Sequence, residues 1–590
     1  MARPQQPIRQ HYSMLRGAIG QSSYSNGESM SPVLAEFDAI RLALSAPGQP
    51  FEFERMNVKG ADMQVYKRLP ANLSHLIVQA QSFGDRTYIV SGDRRWTYAE
   101  FLPRAAGFAK VLRERHGAAP GVHIAIAMRN STEWALAFLA IILSGATAVL
   151  INSRGTPDDM AHALALADCT LLLADRRRAD ALNGRFGGPV LIADGEGGFR
   201  DVVIEPAPVE PTDAGWEDPV IIMFTSGTTG RAKGAVLDHM GVATFLVGVS
   251  HNGMTQLIRA ARRLGKEPEE LAAAAPPYST LAIFPFFHMS GATGTVLITA
   301  LLGGKIVMMD RWDPAQALKL IETERISMIG GPPSLFWDLL ACPDFVTTDV
   351  SSVTGVVSGG QMLASNLGRA MRDAFPNASV GGGFGMTETN GGVCAAHGEE
   401  YLANPRAAGR IVPGTEIRVV DGDGRDLPLG EAGEIWVRSP LLLKGYWNNP
   451  EATAASYSDG WFKTGDVGFV DADRYITIVD RKKDVIISSG ENIYSAEIER
   501  VFQDVPGMME VAAFGVPDPR LGERLIVAIV PHAGRSIDVG ETFAFARANL
   551  ADYKVPSEII VHHEPFLHNA LGKIDKVALR TSYGARTQGE

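Results

Sequence analysis

The chain predicts an α/β protein. A large N-terminal domain of several subdomains, with mostly parallel sheets and a small β-barrel-like part, precedes a small α+β C-terminal domain. Three observations carry this. Short apolar strands alternate with helical patterns from about residue 70 to about residue 360, the order that builds parallel sheets. After Gly409 the pattern changes to hairpins around Asp-Gly turns. At 590 residues the chain exceeds one ordinary core.

Residues 1–65 read as an N-terminal extension. Gly20 to Gly27 is rich in Ser and Gly, and Ser31 to Leu44 carries helical spacing through Val33, Leu34, Phe37, Ile40 and Leu44. A loosely attached arm is the expected arrangement, with a dimer or lid contact as the alternative. The main domain spans 66–480. Tyr88-Ile89-Val90 and Arg95 to Tyr98 bracket Ser91-Gly92-Asp93-Arg94 as a hairpin, and Thr97 starts a helix through Leu112. Val122 to Ala127 is a strand, Ser131 to Leu143 a helix, Ala146 to Ile151 a strand, Thr156 to Leu166 a helix and Thr170 to Leu173 a strand. Residues 251–280 interrupt this order as a charged helical insert, read as a surface excursion that could line a substrate tunnel. Lys305 to Met309, Ser327 to Ile329 and Gly355 to Val357 resume the short strands. Residues 481–590 form the C-terminal domain, with helices 495–503 and 539–549 and strands 511–515, 525–530 and 558–561. Ser495 is its expected first N-cap.

Hydrophobic content of 46% and charged content of 21% suit a soluble globular protein, and a net charge of -11 argues against nucleic acid as the main partner. Cys169, Cys342 and Cys394 lie far apart, without zinc or disulfide spacing, which fits a cytoplasmic location. The first thirty residues lack the apolar core of a secretory signal. Ala135 to Ile151 is broken by Ser144-Gly145, so it reads as a helix, a turn and a core strand, not a membrane span. A peripheral membrane contact and a homodimer stay open.

The chemistry concentrates in Thr225-Ser226-Gly227-Thr228-Thr229-Gly230-Arg231-Ala232-Lys233-Gly234, which follows the apolar run Val220 to Phe224. Backbone N–H groups and hydroxyls there can wrap phosphate oxygens, and Lys233 adds a point charge. The spacing is not the Walker pattern. Gly381-Gly382-Gly383-Phe384-Gly385-Met386-Thr387-Glu388 adds a flat ring for a base and a hard carboxylate suited to Mg²⁺, without a dinucleotide fingerprint. Asp466, in Lys463-Thr464-Gly465-Asp466, can accept from ribose hydroxyls.

The hydroxyl-rich run closely resembles the phosphate loop of the adenylate-forming superfamily, which includes acyl-CoA synthetases, luciferases and peptide-synthetase adenylation domains. The Gly381 to Glu388 run resembles that family's adenine-and-magnesium motif, with Phe384 where a tyrosine is usual. Asp466 and Arg481 match its ribose pair, Lys483 its hinge, and Asn569-Ala570-Leu571-Gly572-Lys573-Ile574 the segment of its adenylation lysine. The resemblance implies an ATP site made of Thr225, Ser226, Gly227, Thr228, Thr229, Gly230, Lys233, Gly360, Gln361, Gly383, Phe384, Gly385, Thr387, Glu388, Asp466, Arg481 and Lys573. Thr225 and Glu388 would hold the metal, and Lys573, Glu388 and Thr228 would be catalytic. It further implies an acyl pocket at His288, Gly360 and Gly382, and CoA binding at Gly490, Glu491 and Asn492. The C-terminal domain would be mobile about Lys483.

The implied activity is an ATP-, Mg²⁺- and coenzyme A-dependent acyl-CoA synthetase, acting on a medium- or long-chain fatty acid. An aryl-acid CoA ligase and a stand-alone enzyme loading a carrier protein are the alternatives; a non-catalytic nucleotide or lipid binder is the remote one. The chain ends soon after Lys573 without a fused carrier domain, which favours CoA as acceptor.

Overall fold

The computed structural model describes residues 31–195, 198–199, 204–225, 232–359, 363, 365–482, 484–488, 491–532, 534–568 and 574–588. The chain divides into two compact units. The first runs up to Glu416 and returns for Val437–Phe462; the second takes Ile417–Trp436 and the chain from Lys463 onward.

The first unit opens with helix α1 (Pro32–Leu44) and the antiparallel hairpin β1 (Phe53–Val58) and β2 (Ala61–Tyr66). The hairpin turns through Lys59 and Gly60, both at positive φ, as a two-residue turn between twisted strands requires. Helix α2 (Leu73–Ala80) and hairpin β3 (Thr87–Ser91) and β4 (Arg94–Thr97) follow. Thr97 and Glu100 then form a capping box that starts α3 (Tyr98–His116). Next come β5 (His123–Ala127), α4 (Thr132–Ser144), β6 (Thr147–Leu150), α5 (Pro157–Leu166), β7 (Leu171–Ala174), β8 (Val190–Ile192), β9 (Pro219–Thr225) and β10 (Lys233–Asp238). Gly145, at φ 83°, turns α4 into β6, so the apolar window is the helix, turn and strand expected of it. Among the described residues no helix is long and apolar enough to cross a membrane.

Helix α6 (His239–Leu264) leads to β11 (Ser279–Leu281), β12 (Lys305–Val307), β13 (Met328–Gly331), β14 (Gly355–Ser358), β15 (Ser379–Met386), β16 (Gly391–His397), α7 (Glu399–Ala403) and β17 (Gly409–Ile411). Then come β18 (Glu416–Val420), β19 (Gly433–Arg438), β20 (Gly445–Tyr446), β21 (Tyr457–Ser458), β22 (Trp461–Val470) and β23 (Tyr475–Arg481). One sheet of the first unit has the order β20-β10-β9-β6-β5-β7-β8, parallel from β9 to β8 and antiparallel at β10 and β20. The other runs β17-β16-β15-β14-β13-β11-β12-β3-β4, parallel through its centre. The expected α/β architecture with mostly parallel sheets is therefore present.

The second unit carries strands in the order β18-β19-β22-β23. It continues with β24 (Ile486–Ser488), β25 (Glu491–Ile493), α8 (Ser495–Gln503), β26 (Met508–Asp518), β27 (Gly522–Pro531), α9 (Val539–Asn549), β28 (Glu558–Val561) and α10 (Lys576–Gln588). The central strands bury both faces by simple alternation. Val511, Ala513, Leu525, Val527 and Ile529 pack with Ile498 and Phe502 of α8 and Ala546 of α9. Ala512, Phe514, Ile526, Ala528 and Val530 pack with Leu579 and Tyr583 of α10.

Three expectations need correction. From Pro32 onward the N-terminal extension is docked, not loosely attached. Leu34, Phe37, Ile40 and Leu44 are buried, Phe51 stacks on His251 of α6 at 4.5 Å, and Arg41 forms a bidentate pair with the buried Glu400 at 2.7 and 2.8 Å. The first half of the 251–280 insert is no surface excursion either, because His251, Thr255, Ile258 and Ala261 of α6 are buried. Within the second unit, β22 and β23 pair with each other and Asp480 bonds to Ser495. Finally, Ser495 is the first helical residue rather than the cap: its hydroxyl donates to Asp480 and accepts from Lys576.

Candidate active site

In the first unit, Val220, Ile221, Ile222 and Met223 are buried, and β9 lies parallel to β6. The chain leaves the sheet at Thr225 and returns at Lys233, and these two residues face each other across the β9–β10 ladder. Thr225 and Lys233, the described residues at either end, are thus held by that ladder. Ser226, Gly227, Thr228, Thr229 and Gly230 lie outside the described residues, as do Gly360, Gln361, Lys483, Gly490 and Lys573 and the side chains of Glu491 and Asn492.

Glu388 sits in a 3₁₀ turn, Thr387–Thr389, directly after β15. Thr389 locks that turn: its hydroxyl donates to the Gly391 carbonyl at 2.8 Å and accepts from Met386 N at 3.0 Å. Phe384 is half-buried opposite Cys394. The glycines of this run are required by the neighbouring strand. A Cβ at Gly383 would lie 2.6 Å from the Cys394 carbonyl, and one at Gly385 only 1.7 Å from that of Gly391. Gly382 is looser, 3.1 Å from the Ser358 carbonyl.

The strap 441–447 joins this turn to the phosphate hairpin. Leu443 N donates to the Glu388 carbonyl at 2.8 Å, Lys444 N to Val236 and Trp447 N to Gly234, each at 2.8 Å. Tyr446 then does two things. Its hydroxyl donates to Glu388 Oε1 at 3.0 Å, and its ring centroid lies 5.1 Å from Lys233 Nζ. Burial, and next the Glu388 charge, push the phenol well above its ordinary pKa, so it stays a donor. Lys59, from the β1–β2 turn, secures the strap's other end. Its ammonium pairs with the buried Asp238 at 2.7 Å and donates to the Leu442 carbonyl.

His288 follows Phe286 and Phe287, both buried. Asn130, just after β5, holds this segment by donating to the carbonyls of Ala282 and Phe284 and accepting from Phe286 N, at 2.8 to 3.0 Å. Burial first, then the charge of Arg154, lowers the His288 pKa to about 4, so the ring is neutral near pH 7.

In the second unit, Asp466 and Arg481 face each other on β22 and β23, and Arg481 Nε donates to Asp466 Oδ1 at 3.0 Å. The two residues assigned to the ribose are therefore neighbours, although fifteen positions apart. Asp480, next to Arg481, is buried and accepts from the Ser495 backbone N–H and hydroxyl. Lys576 donates to the Ser495 hydroxyl and pairs with Glu499, both at 2.7 Å. Desolvation raises the pKa of both Asp480 and Glu499. His568 and Ile574 form a bridge, and His568 is paired to Glu510 at 3.1 Å.

The sequence reading missed Tyr446, Asn130, Lys59 and Lys576. Each acts through long-range contacts, which no local spacing announces. Only the pattern Lys444-Gly445-Tyr446-Trp447, aromatic residues beside a glycine ahead of a helix-capping Asn449, offered a signal.

The AMP-binding enzyme family matches residues 76–447, and its C-terminal domain matches residues 497–573. A feruloyl-CoA synthase from Amycolatopsis sp is 34% identical over 501 residues, 84% of this chain and 96% of that protein. The long-chain-fatty-acid–CoA ligase FadD13 of Mycobacterium tuberculosis is 33% identical over 501 residues, 84% of this chain and 94% of that protein. Among solved structures, ATP-bound MatB from Rhodopseudomonas palustris aligns with a TM-score of 0.76 at 27% identity, covering 87% of this chain and 99% of that one. The chain belongs to the AMP-binding enzyme family, the adenylate-forming superfamily.

Proposed function

We propose that the chain is an AMP-forming acyl-CoA synthetase that activates a medium- or long-chain fatty acid in the cytoplasm. The observation that carries the first half of this reading is the joined constellation Thr225, Lys233, Tyr446 and Glu388. It presents one cation and one carboxylate beside a rigid phosphate hairpin. Among the described residues no group of three or more His, Cys, Asp or Glu could hold a metal by itself. A single carboxylate suits Mg²⁺ on a triphosphate, which takes its other ligands from phosphate and water. Glu388 and Thr225 would hold that ion, whose contribution is to neutralise phosphate charge.

The substrate carboxylate attacks the α-phosphorus, the bond to the β-phosphate oxygen breaks, and acyl-AMP and pyrophosphate result. Lys233 and the loop hydroxyls from Thr225 to Thr229 retain the leaving pyrophosphate. Asp466 and Arg481 orient the ribose, and Lys573 stabilises charge developing near the α-phosphate. The CoA thiolate then attacks the acyl carbonyl, and AMP leaves; Gly490, Glu491 and Asn492 face the thiol after rotation about Lys483. Lys573→Ala should cut adenylate formation by about a thousandfold and spare thioester formation from supplied acyl-AMP. Equal loss of both would remove the assigned role.

The acid is read as apolar because the His288 segment carries Phe286, Phe287 and a neutral imidazole. An aryl acid is the second reading, favoured by near-equal identity to a feruloyl-CoA synthase and a long-chain ligase. Pyrophosphate release across fatty acids, hydroxycinnamates and dicarboxylates, with CoA and an acyl carrier protein as acceptors, decides between them. Turnover of hydroxycinnamates alone would replace the fatty-acid reading, and no acid-dependent release at all would sink the enzyme.

A further inference from the structure

Tyr446 is the one side chain among the described residues that touches both Lys233 and Glu388. Its backbone is fixed as firmly as its ring. Tyr446 pairs with Ala235 across β10 and β20, and its N–H donates to the Thr453 hydroxyl at 2.9 Å. The strap on either side bonds to Val236, Gly234 and the Glu388 carbonyl. The ring is therefore anchored through the backbone of its strap.

We propose that Tyr446 is the positioning residue of the metal-bound triphosphate. Its hydroxyl fixes Glu388 Oε1 so that the second carboxylate oxygen faces the ion, and its ring face carries the Lys233 ammonium beside the phosphates. The proposal rests on the assignment of Glu388 to the metal and Lys233 to phosphate. A neutral hydroxyl suits the task, because it orients the carboxylate without cancelling the charge that attracts the ion. An arginine or lysine in the same place would compete with it. The aromatic face likewise holds an ammonium without neutralising it.

The hydroxyl and the ring make separable predictions. Tyr446→Phe keeps the ring and removes the bond to Glu388. Outer partners of metal ligands typically affect affinity by a factor of about ten or more. Calorimetric titration should show MgATP binding weakened by about tenfold, with ATP binding in EDTA changed by less than about twofold, and the Mg²⁺ half-saturation of acid-dependent pyrophosphate exchange should rise in step. Tyr446→Leu removes both contacts and should weaken ATP binding with and without Mg²⁺. Thermal melting of the Phe variant should match the parent, since the buried ring remains. Glu388→Gln separates the proposal from the reading beneath it. If that variant also binds MgATP and ATP as the parent does, the metal assignment falls and Tyr446 with it. If Glu388→Gln loses the Mg²⁺ dependence while Tyr446→Phe binds MgATP within about twofold of the parent, the positioning role alone is overturned. An equal loss of MgATP and metal-free ATP binding in Tyr446→Phe would overturn it as well.

Discussion

Glu388 in the first unit and Asp480 in the second are both buried carboxylates, 8% and 5% exposed, yet they are held by opposite means. Asp480 accepts from the Ser495 N–H and hydroxyl and feels the charge of Lys576, which itself bonds to Ser495 and Glu499. Its charge is spent inside the protein. Glu388 accepts from a neutral phenol, and no described cation forms an ion pair with it. Burying a carboxylate without a cation is costly unless something else balances it. The difference separates the two carboxylates: Asp480 anchors α8 to β23, whereas Glu388, the residue proposed to hold the metal, is bonded by an uncharged donor.

Exchanging charge for shape at both positions is the sharpest way to break this comparison. Glu388→Gln keeps an acceptor for Tyr446, so it should reduce acid-dependent ATP–pyrophosphate exchange by about a hundredfold or more while leaving the melting temperature nearly unchanged. Asp480→Asn should do the reverse, costing about 2 kcal/mol in urea unfolding because an amide cannot accept from both Ser495 groups and Arg481 N. If the Glu388 variant melts as early as the Asp480 variant, the two carboxylates are not different in kind.

The largest loss of stability in the set is expected of Lys59→Met. It strands the buried Asp238 and frees the strap at Leu442, and should cost about 3 kcal/mol, the scale of a broken buried pair. A denaturant midpoint equal to the parent's would show the N-terminal hairpin to be dispensable. It would then belong with the loosely attached arm the sequence suggested.

A pH slope gives a further test. Burial lowers the pKa of His239 and His251 from 6.5 to about 4. The folded state therefore holds these rings neutral where the unfolded chain would protonate them. Their stabilisation is complete above about pH 6.5 and is lost as pH falls toward 4, at up to about 1.4 kcal/mol per unit for each ring. His251→Gln should flatten the acid side of the melting-temperature profile; an unchanged slope would mean that His251 does not titrate in that window.

Local patterns were readable where a single element explains itself. The β3–β4 hairpin, the capping box at Thr97, the helix–glycine–strand at Ala135 to Ile151 and the alternation of β26 and β27 all follow from residues adjacent in sequence. The docking of α1 was not readable. Leu34, Phe37 and Ile40 show a weak stripe, but the partners that bury it, α6 and Glu400, lie more than two hundred residues away. The same holds for the insert: its arginines read as a solvated face, whereas Arg259 pairs with Glu36 and Glu399.

By itself the sequence determined the architecture and the buried strand that leads into the hydroxyl-rich run, because strand alternation, capping and glycine-rich turns are written in neighbouring residues. The tertiary structure alone decided how the charged side chains are held. It set Asp466 against Arg481 through the register of two strands, seated Glu388 and Lys233 on one tyrosine from a distant strap, and neutralised Asp480 within a cluster. The reason is physical. A carboxylate's role depends on the dielectric and donors around it, and those come from whatever segment the fold brings near.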